Sequence, residues 1–238
     1  MTNATVIAKI KSIDWDSVHR DLDGQGFAVI KDLLSPGDCQ SVIDLYAEEK
    51  SFRKTVIMDR HGYGRGEYKY FAYPLPDLVQ TLRSEAYPKL APLANLWMKA
   101  MKIDRQYPDS HADFLSICHK AGQAKPTPLI LHYTAGDYNC MHQDLYGEHM
   151  FPLQLAILLA EPQRDFSGGE FIITEQRPRM QTKPSVVPFT QGNGLIFAVH
   201  QRPVKGSRGI YRVNLRHGVS QVHSGERHTL GVIFHDAK

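Results

Sequence analysis

Two textures divide the chain. From about residue 126 onward, short apolar runs recur at 129–133, 138–143, 153–159, 170–174, 195–199, 211–215 and 228–234. Turn residues sit at the joints: Ala135-Gly136-Asp137, Ser167-Gly168-Gly169 and Gly192-Asn193-Gly194. Apolar runs of this length, bounded by glycine-rich joints, predict β-strands. Many short strands in succession predict a sandwich or barrel. Before residue 126 the pattern is mixed. The segment 13–22 predicts a short helix, with Asp14 and Asp16 near its start where they suit the helix dipole. The segment 27–34 reads as a strand. Ser35-Pro36 supplies an N-cap and a first-turn proline for a helix running to about Lys50. A strand is expected at 52–58 and a Gly/Tyr/Arg-rich loop at 59–73. Apolar residues return at helical spacing over 78–102, where Pro88 and Pro92 predict a break into two helices. A further short helix is expected at 109–120. There is no internal repeat and no low-complexity tract.

The expected fold class is α+β. A jelly roll (a double-stranded β-helix, cupin-like) would occupy 126–238. A helical and mixed region, 1–125, would pack on it, the whole forming one compact domain. The 238 residues, 42% of them hydrophobic, suffice for a sizeable core. A charged fraction of 22% argues against wholesale disorder. No apolar run approaches 18 residues, so no membrane span is expected. The first residues lack a long apolar stretch followed by a small-residue cleavage site, so no secretory signal is expected either. Cys39, Cys118 and Cys140 are odd in number and widely spaced, which fits a reducing cytoplasm rather than a disulfide framework. The net charge of +3 is compatible with a polyanionic partner, and equally with ordinary solvated surface.

The chemistry concentrates in a triplet and a later pair. In a strand, residues i and i+2 share a face. His142 and Asp144 therefore face one cavity while Gln143 faces away. His217 must come from a second strand, which a jelly roll can lay beside the first. Two imidazoles and one carboxylate occupy one face of Fe(II) and leave its other positions open for substrate and O2. Arg227, ten residues after His217, suits a carboxylate-bearing co-substrate through its planar fork. Thr229 shares the facing of Arg227 and offers a hydroxyl. The competing reading is structural: buried histidines with a carboxylate partner, Tyr133 as plain core, and Arg227 in a surface salt bridge. His132, His149, His200, His223, His228 and His235 are not taken as ligands. His200 follows an apolar run and is the rival to His217, but it lacks the later Gly-x-Arg.

The segment from Leu131 through Tyr133 and Gly136 to His142-Gln143-Asp144 resembles the first metal motif of the prolyl-4-hydroxylase-like oxygenases. His217-Gly218, followed by Gly225-Glu226-Arg227, resembles their second, and Gly192-Asn193-Gly194-Leu195-Ile196-Phe197 resembles the strand before it. The likeness covers roughly 126–236. It implies Fe(II) held by His142, Asp144 and His217, and 2-oxoglutarate held by Arg227 and Tyr133, with Thr229 adding a contact. O2 would be consumed, and ascorbate would stimulate. Two phrases, His142 to Glu148 and Arg227 to Asp236, are similar to a bacterial group of 2-oxoglutarate oxygenases labelled as acting on alkylation-damaged DNA. The second-half arginine pattern of the alkylation-repair dioxygenases is absent. The implied reaction hydroxylates a C–H bond and releases succinate and CO2; an N-methyl group so treated leaves as formaldehyde.

The stretch from Arg60 to Phe71 interleaves basic and aromatic residues among glycines. Tyr63, Arg65, Tyr68 and Tyr70 are candidate residues of a mobile substrate lid. Such a lid can stack unpaired bases and pair phosphates of a single strand or a flipped base. It can equally order over any substrate, a peptide included. Arg177-Pro178-Arg179, on a strand connection, could add phosphate contacts or be solvated surface. Three functions are carried forward: a dioxygenase acting on alkylated nucleic acid, the same chemistry on a protein side chain or small molecule, and a non-catalytic metal-binding jelly roll.

Overall fold

The computed structural model describes residues 3–145, 147–207 and 209–238. Three helices lead the chain with two short 3-10 turns: α1 (Asn3–Ser12), α2 (Trp15–Gln25) and α3 (Pro36–Asp44). Asp14 caps α2 by accepting from the Ser17 N–H, and Gly26 ends it in the left-handed region. Ser35 and Asp38 cap each other around α3, with Pro36 at its first turn. Strand β1 (Phe27–Ile30) lies between α2 and α3.

Residues 59–73 are not one irregular loop. Strands β2 (Phe52–Ile57), β3 (Gly64–Arg65) and β4 (Glu67–Phe71) occupy most of the segment and its lead-in. β4 pairs with both β2 and β5 (Leu129–Thr134). Gly62, Gly64 and Gly66, all at positive φ, make the reversals of a folded hairpin. The expected break in the long helical segment is also absent. α4 (Asp77–Ala100) runs unbroken through Pro88 and Pro92. Both prolines are exposed and lie four residues apart on one face, so the carbonyls they leave unbonded meet water. The opposite face buries Leu82, Leu90, Leu93 and Trp97. α5 (His111–Lys120) follows, capped by Ser110.

The remaining strands are β6 (Tyr138–His142), β7 (Leu153–Leu158), β8 (Phe166–Gly168), β9 (Phe171–Gln176), β10 (Lys183–Val186), β11 (Gly194–Ala198), β12 (Gln201–Gly206), β13 (Gly209–Val219) and β14 (Val222–Val232). They form two antiparallel sheets. The larger runs β1-β11-β7-β14-β5-β4-β2, with β8 also on β14; the smaller runs β10-β9-β13-β6-β3, with β12 on β13. Consecutive β13 and β14 lie in different sheets, joined at Ser220-Gln221. This is a double-stranded β-helix. β7 is buried on both faces. β1, β2 and β4 extend the same sheet that the later strands build. No helix among the described residues is long and apolar enough to cross a membrane.

Candidate metal centre

His142 is the last residue of β6 and pairs directly with His217 of β13. Their ring centroids are 4.2 Å apart. The chain leaves β6 at Gln143, whose amide donates to the Leu215 carbonyl of β13 at 2.7 Å. This bond pins the triplet; Gln143, expected to face away, also lines the cavity, and Asp144 reaches both imidazoles. Asp144 Oδ1 lies 3.4 Å from His142 Nε2, and Oδ2 lies 3.3 Å from His217 Nε2. One ligand atom from each of the three falls within 4.8 Å of the others.

The imidazoles are presented for coordination. His142 Nδ1 lies 2.7 Å from the Cys140 carbonyl, which can only accept, so Nδ1 carries the hydrogen and Nε2 keeps its lone pair. Phe171 stacks on the His217 ring at 5.8 Å, and Phe197 packs at 4.6 Å. Burial lowers His217, with the neighbouring His142 adding to the effect. Burial would also lower His142, but Asp144 and the Cys140 carbonyl outweigh it and raise the group. Burial alone would raise Asp144; the two histidines reverse this and hold its carboxyl well below the usual range. The buried His217 Nδ1 has no hydrogen-bond partner. Two nitrogens and one ionised carboxylate on one side of an open cavity fit a divalent iron that retains exchangeable positions.

The cavity, about 380 Å³, continues from the triad along the inner face of the larger sheet. Arg227 and Tyr133 are a cross-strand pair on β14 and β5 facing it. Arg227 is 1% exposed, and no carboxylate lies within 4.0 Å of it among the described residues. Its Nη1 donates to Thr229 Oγ1 at 2.7 Å, and its Nε has no partner. Burial lowers its pKa to about 10. A buried cation without an anion is unfavourable unless a ligand supplies one. The Tyr133 hydroxyl makes no hydrogen bond of normal geometry; burial raises its pKa, Arg227 and Asn139 act against that, and the Asp137 and Asp144 charges add to it. Two glycines make room here. A Cβ on Gly169 would stand 2.9 Å from Arg227 Cδ, and one on Gly66 2.7 Å from the Tyr133 ring.

Tyr68 and Tyr70 of β4 face the same cavity as wall residues, and Tyr63, 49% exposed, stands at its rim. Arg65 points to solvent, 3.9 Å from Asp137, and does not line the cavity. Arg53 lies over the Tyr70 ring at 4.6 Å. Arg177 pairs with Glu175 at 2.8 Å. None of the other histidines joins the triad. His132, Glu226 and His228 form a second group, with His132 Nε2 3.2 Å from the Glu226 carboxylate. The two rings lie nearly parallel, 4.3 Å apart at 13°, so their in-plane lone pairs do not converge on one ion. Tyr46 packs edgewise on both rings.

Sequence reasoning missed several lining residues: Phe171, Phe197, Asn139, Ile233 and Gln154. Gln154 carried a signal, as the single polar residue within the apolar strand Leu153–Leu158.

A family model described as "Oxygenase, catalysing oxidative methylation of damaged DNA" (Oxygenase-NA) matches residues 66–237. An uncharacterized protein of Mycobacterium tuberculosis is 46% identical over 189 residues, 78% of this chain and 81% of that protein. Among solved structures, a Pseudomonas putida prolyl-4-hydroxylase superposes with a TM-score of 0.51 at 12% identity, covering 91% of this chain and 96% of that one. An oxidoreductase of the 2OG-Fe(II) oxygenase family from Burkholderia pseudomallei gives 0.51 at 15% identity, covering 95% and 93%. At these identities the two structures establish likeness of fold.

Proposed function

The chain belongs to the Oxygenase-NA family, and from that premise we propose that it is an Fe(II)- and 2-oxoglutarate-dependent dioxygenase that oxidatively demethylates alkylated bases in nucleic acid. One observation carries the reading: a two-histidine, one-carboxylate cluster shares a cavity with a buried arginine that has no carboxylate partner among the described residues. When bound, iron with 2-oxoglutarate and O2 supplies the oxidising power that hydroxylates a C–H bond, with succinate and CO2 released.

The chain's own residues do the positioning. His142, Asp144 and His217 hold the metal from one side. The Cys140 carbonyl fixes the tautomer of His142, and Phe171 and Phe197 fix the ring of His217. Arg227 binds the distal carboxylate of 2-oxoglutarate, aimed by Thr229, with Tyr133 beside it. Apolar walls from Leu129, Leu131 and Ile233 exclude water from the reacting centre. Tyr68 and Tyr70 offer aromatic faces for a base taken out of its stack, and Tyr63 stands where the strand would enter. The nucleic-acid substrate is supported by the family's description together with this aromatic wall.

The test mixes protein, Fe(II), ascorbate, 2-oxoglutarate and methylated single-stranded DNA, and follows succinate and formaldehyde together. Both are expected to rise, and both to vanish in His142→Ala, Asp144→Ala and His217→Ala. Succinate without formaldehyde would keep the oxygenase and move the substrate to a protein side chain or small molecule. Neither product, with metal still bound, would leave a non-catalytic jelly roll.

A further inference from the structure

The larger sheet's register orders the cavity in rows. Along β14 the inward positions are Arg227, Thr229, Gly231 and Ile233, and β7 runs antiparallel beside it with Gly231 opposite Ala156 and Val232 opposite Leu155. Continuing that register by one residue puts Gln154 alongside Ile233. On its other side Gln154 pairs with Phe197 of β11, whose ring packs on His217. Gln154 therefore lies at the metal end of the cavity. Its row is six residues along β14 from Arg227, so it stands clear of the end where that guanidinium lies.

The residue is an anomaly for a structural role. It is 5% exposed, it lines the cavity, and its Nε2 donates to nothing. A buried donor left unbonded destabilises the fold, so native proteins keep few of them. The floor beside it is built of small residues. Gly231 and Ala156 are paired there, and the nearest atoms to a Cβ on Gly231 would be those of Leu129, at 3.4 Å. Charge is scarce: among the described lining residues Asp144 is the single carboxylate and Arg227 the single guanidinium. Asp144 is committed to the two histidines, so no free anion awaits a cationic substrate group.

We propose that Gln154 is the specificity residue for the prime substrate, its side-chain amide donating to a ring nitrogen or carbonyl of an uncharged methylated nucleobase inserted over Gly231 and Ala156. This rests on the dioxygenase reading above and narrows its substrate. A planar acceptor-bearing ring satisfies the orphan donor while its faces meet Tyr68, Tyr70 and Phe197. A cationic base gains no ion pair, because no carboxylate is left to neutralise it. Gln154 acts by binding; the reacting atoms belong to the metal triad and substrate.

The experiment uses the full chain loaded with Zn(II) and 2-oxoglutarate, so that nothing turns over. The ¹⁵N side-chain amide signal of Gln154, identified by its loss in Gln154→Leu, is followed during titration with N6-methyl-2′-deoxyadenosine. The signal is expected to shift, and the variant to bind this nucleoside about tenfold more weakly. Affinity for 2-oxoglutarate should stay within about twofold of wild type. The N1-methyl analogue, cationic at neutral pH, should leave the signal in place. Removing a donor that bonds nothing should also raise the Tm of the ligand-free protein, whereas loss of a structural residue would lower it. A signal that responds to 2-oxoglutarate alone, or to the cationic analogue as strongly, would overturn the proposal. So would a lower Tm with unchanged nucleoside binding. A response to N-acetylproline methylamide but not to the nucleoside would sink the nucleobase assignment and the nucleic-acid reading, leaving Gln154 as an amide-reading donor in a peptide site.

Discussion

At the scale of single residues, the proposed role of Arg227 sets ligand binding against stability most directly. It is buried, keeps one hydrogen bond through Thr229, and has no carboxylate within 4.0 Å among the described residues. A methionine there would fill similar space without a charge to desolvate, so Arg227→Met should raise the Tm of the ligand-free protein. Added 2-oxoglutarate with Zn(II) should raise the Tm of the wild type and leave the variant's almost unmoved, by linkage. Arg227→Lys keeps charge but loses the fork, and its KM for 2-oxoglutarate should rise about tenfold or more in a succinate assay. A variant that loses Tm and keeps its response to 2-oxoglutarate would remove Arg227 from the co-substrate site. Much of this was readable beforehand. His142-Gln143-Asp144, His217 and Arg227 stand at spacings that strand periodicity converts into a shared face. Gln154 carried a signal too faint to act on, because one polar residue among five apolar ones looks like tolerance until its unbonded amide is located.

At the scale of elements, the hairpin of β2 and β4 governs the site from behind. Gly66, at φ 115°, brings its backbone against the Tyr133 ring, and an alanine Cβ there would stand 2.7 Å from that ring. Gly66→Ala must displace Tyr133 or the hairpin, so the KM for 2-oxoglutarate should rise severalfold, with stability lost by about 1–3 kcal/mol. Gly62→Ala is the control. It shares a positive φ, yet nothing lies within 4 Å of its Cβ, so it should lose stability through strain alone and keep its KM. Equal KM values in the two variants would separate the hairpin from the co-substrate site. The same segment shows why some elements resist prediction. Its glycines suggest a loop, yet they are the turns of paired strands. β10 and β12 carry no apolar run, since they hang at sheet margins with much of their surface wet. Pro88 and Pro92 predicted a break that the helix avoids by placing both at exposed positions, a choice invisible without knowing which face is buried.

At the scale of the molecule, residues before 126 and after it build one sheet, and a buried polar network ties them at the end of β14. Arg83 of α4 donates to the Ile233 carbonyl at 2.8 Å and pairs with Asp236 at 2.6 Å; Tyr73 and His119 also bond that carboxylate. Around it, His111 Nε2 bonds the Phe234 carbonyl, and His235 Nδ1 accepts from the Phe151 N–H. A carbonyl only accepts, so the His111 ring nitrogen is the donor. Burial lowers His111 and His235 to about 4, with the Arg83 charge adding to it. Burial and the stacked His132 bring His228 to about 4 as well. Burial would raise Asp236, but Arg83 and its hydrogen-bond donors reverse that and lower it. All four shifts have the same sign. Each folded group binds its proton at lower pH than in the unfolded chain, so each contributes stability that is full above the unfolded pKa and lost as pH falls through the folded one. The histidines act between about 6.5 and 4, and Asp236 below about 4. In the metal-free protein His217, lowered by burial, adds to them, and His142, raised by Asp144, opposes them. Urea unfolding of metal-free protein should therefore weaken steadily from pH 7 to pH 5, each histidine adding up to about 1.4 kcal/mol per pH unit. His111→Gln should lower stability at pH 7 and flatten that slope by one proton's share. A flat profile in the wild type would mean these rings are protonated, or hydrated, in the folded protein. Asp236→Asn should cost about 3–5 kcal/mol at pH 7, because it strands Arg83. Its deficit should shrink only below pH 4, where the wild-type carboxylate also takes up its proton.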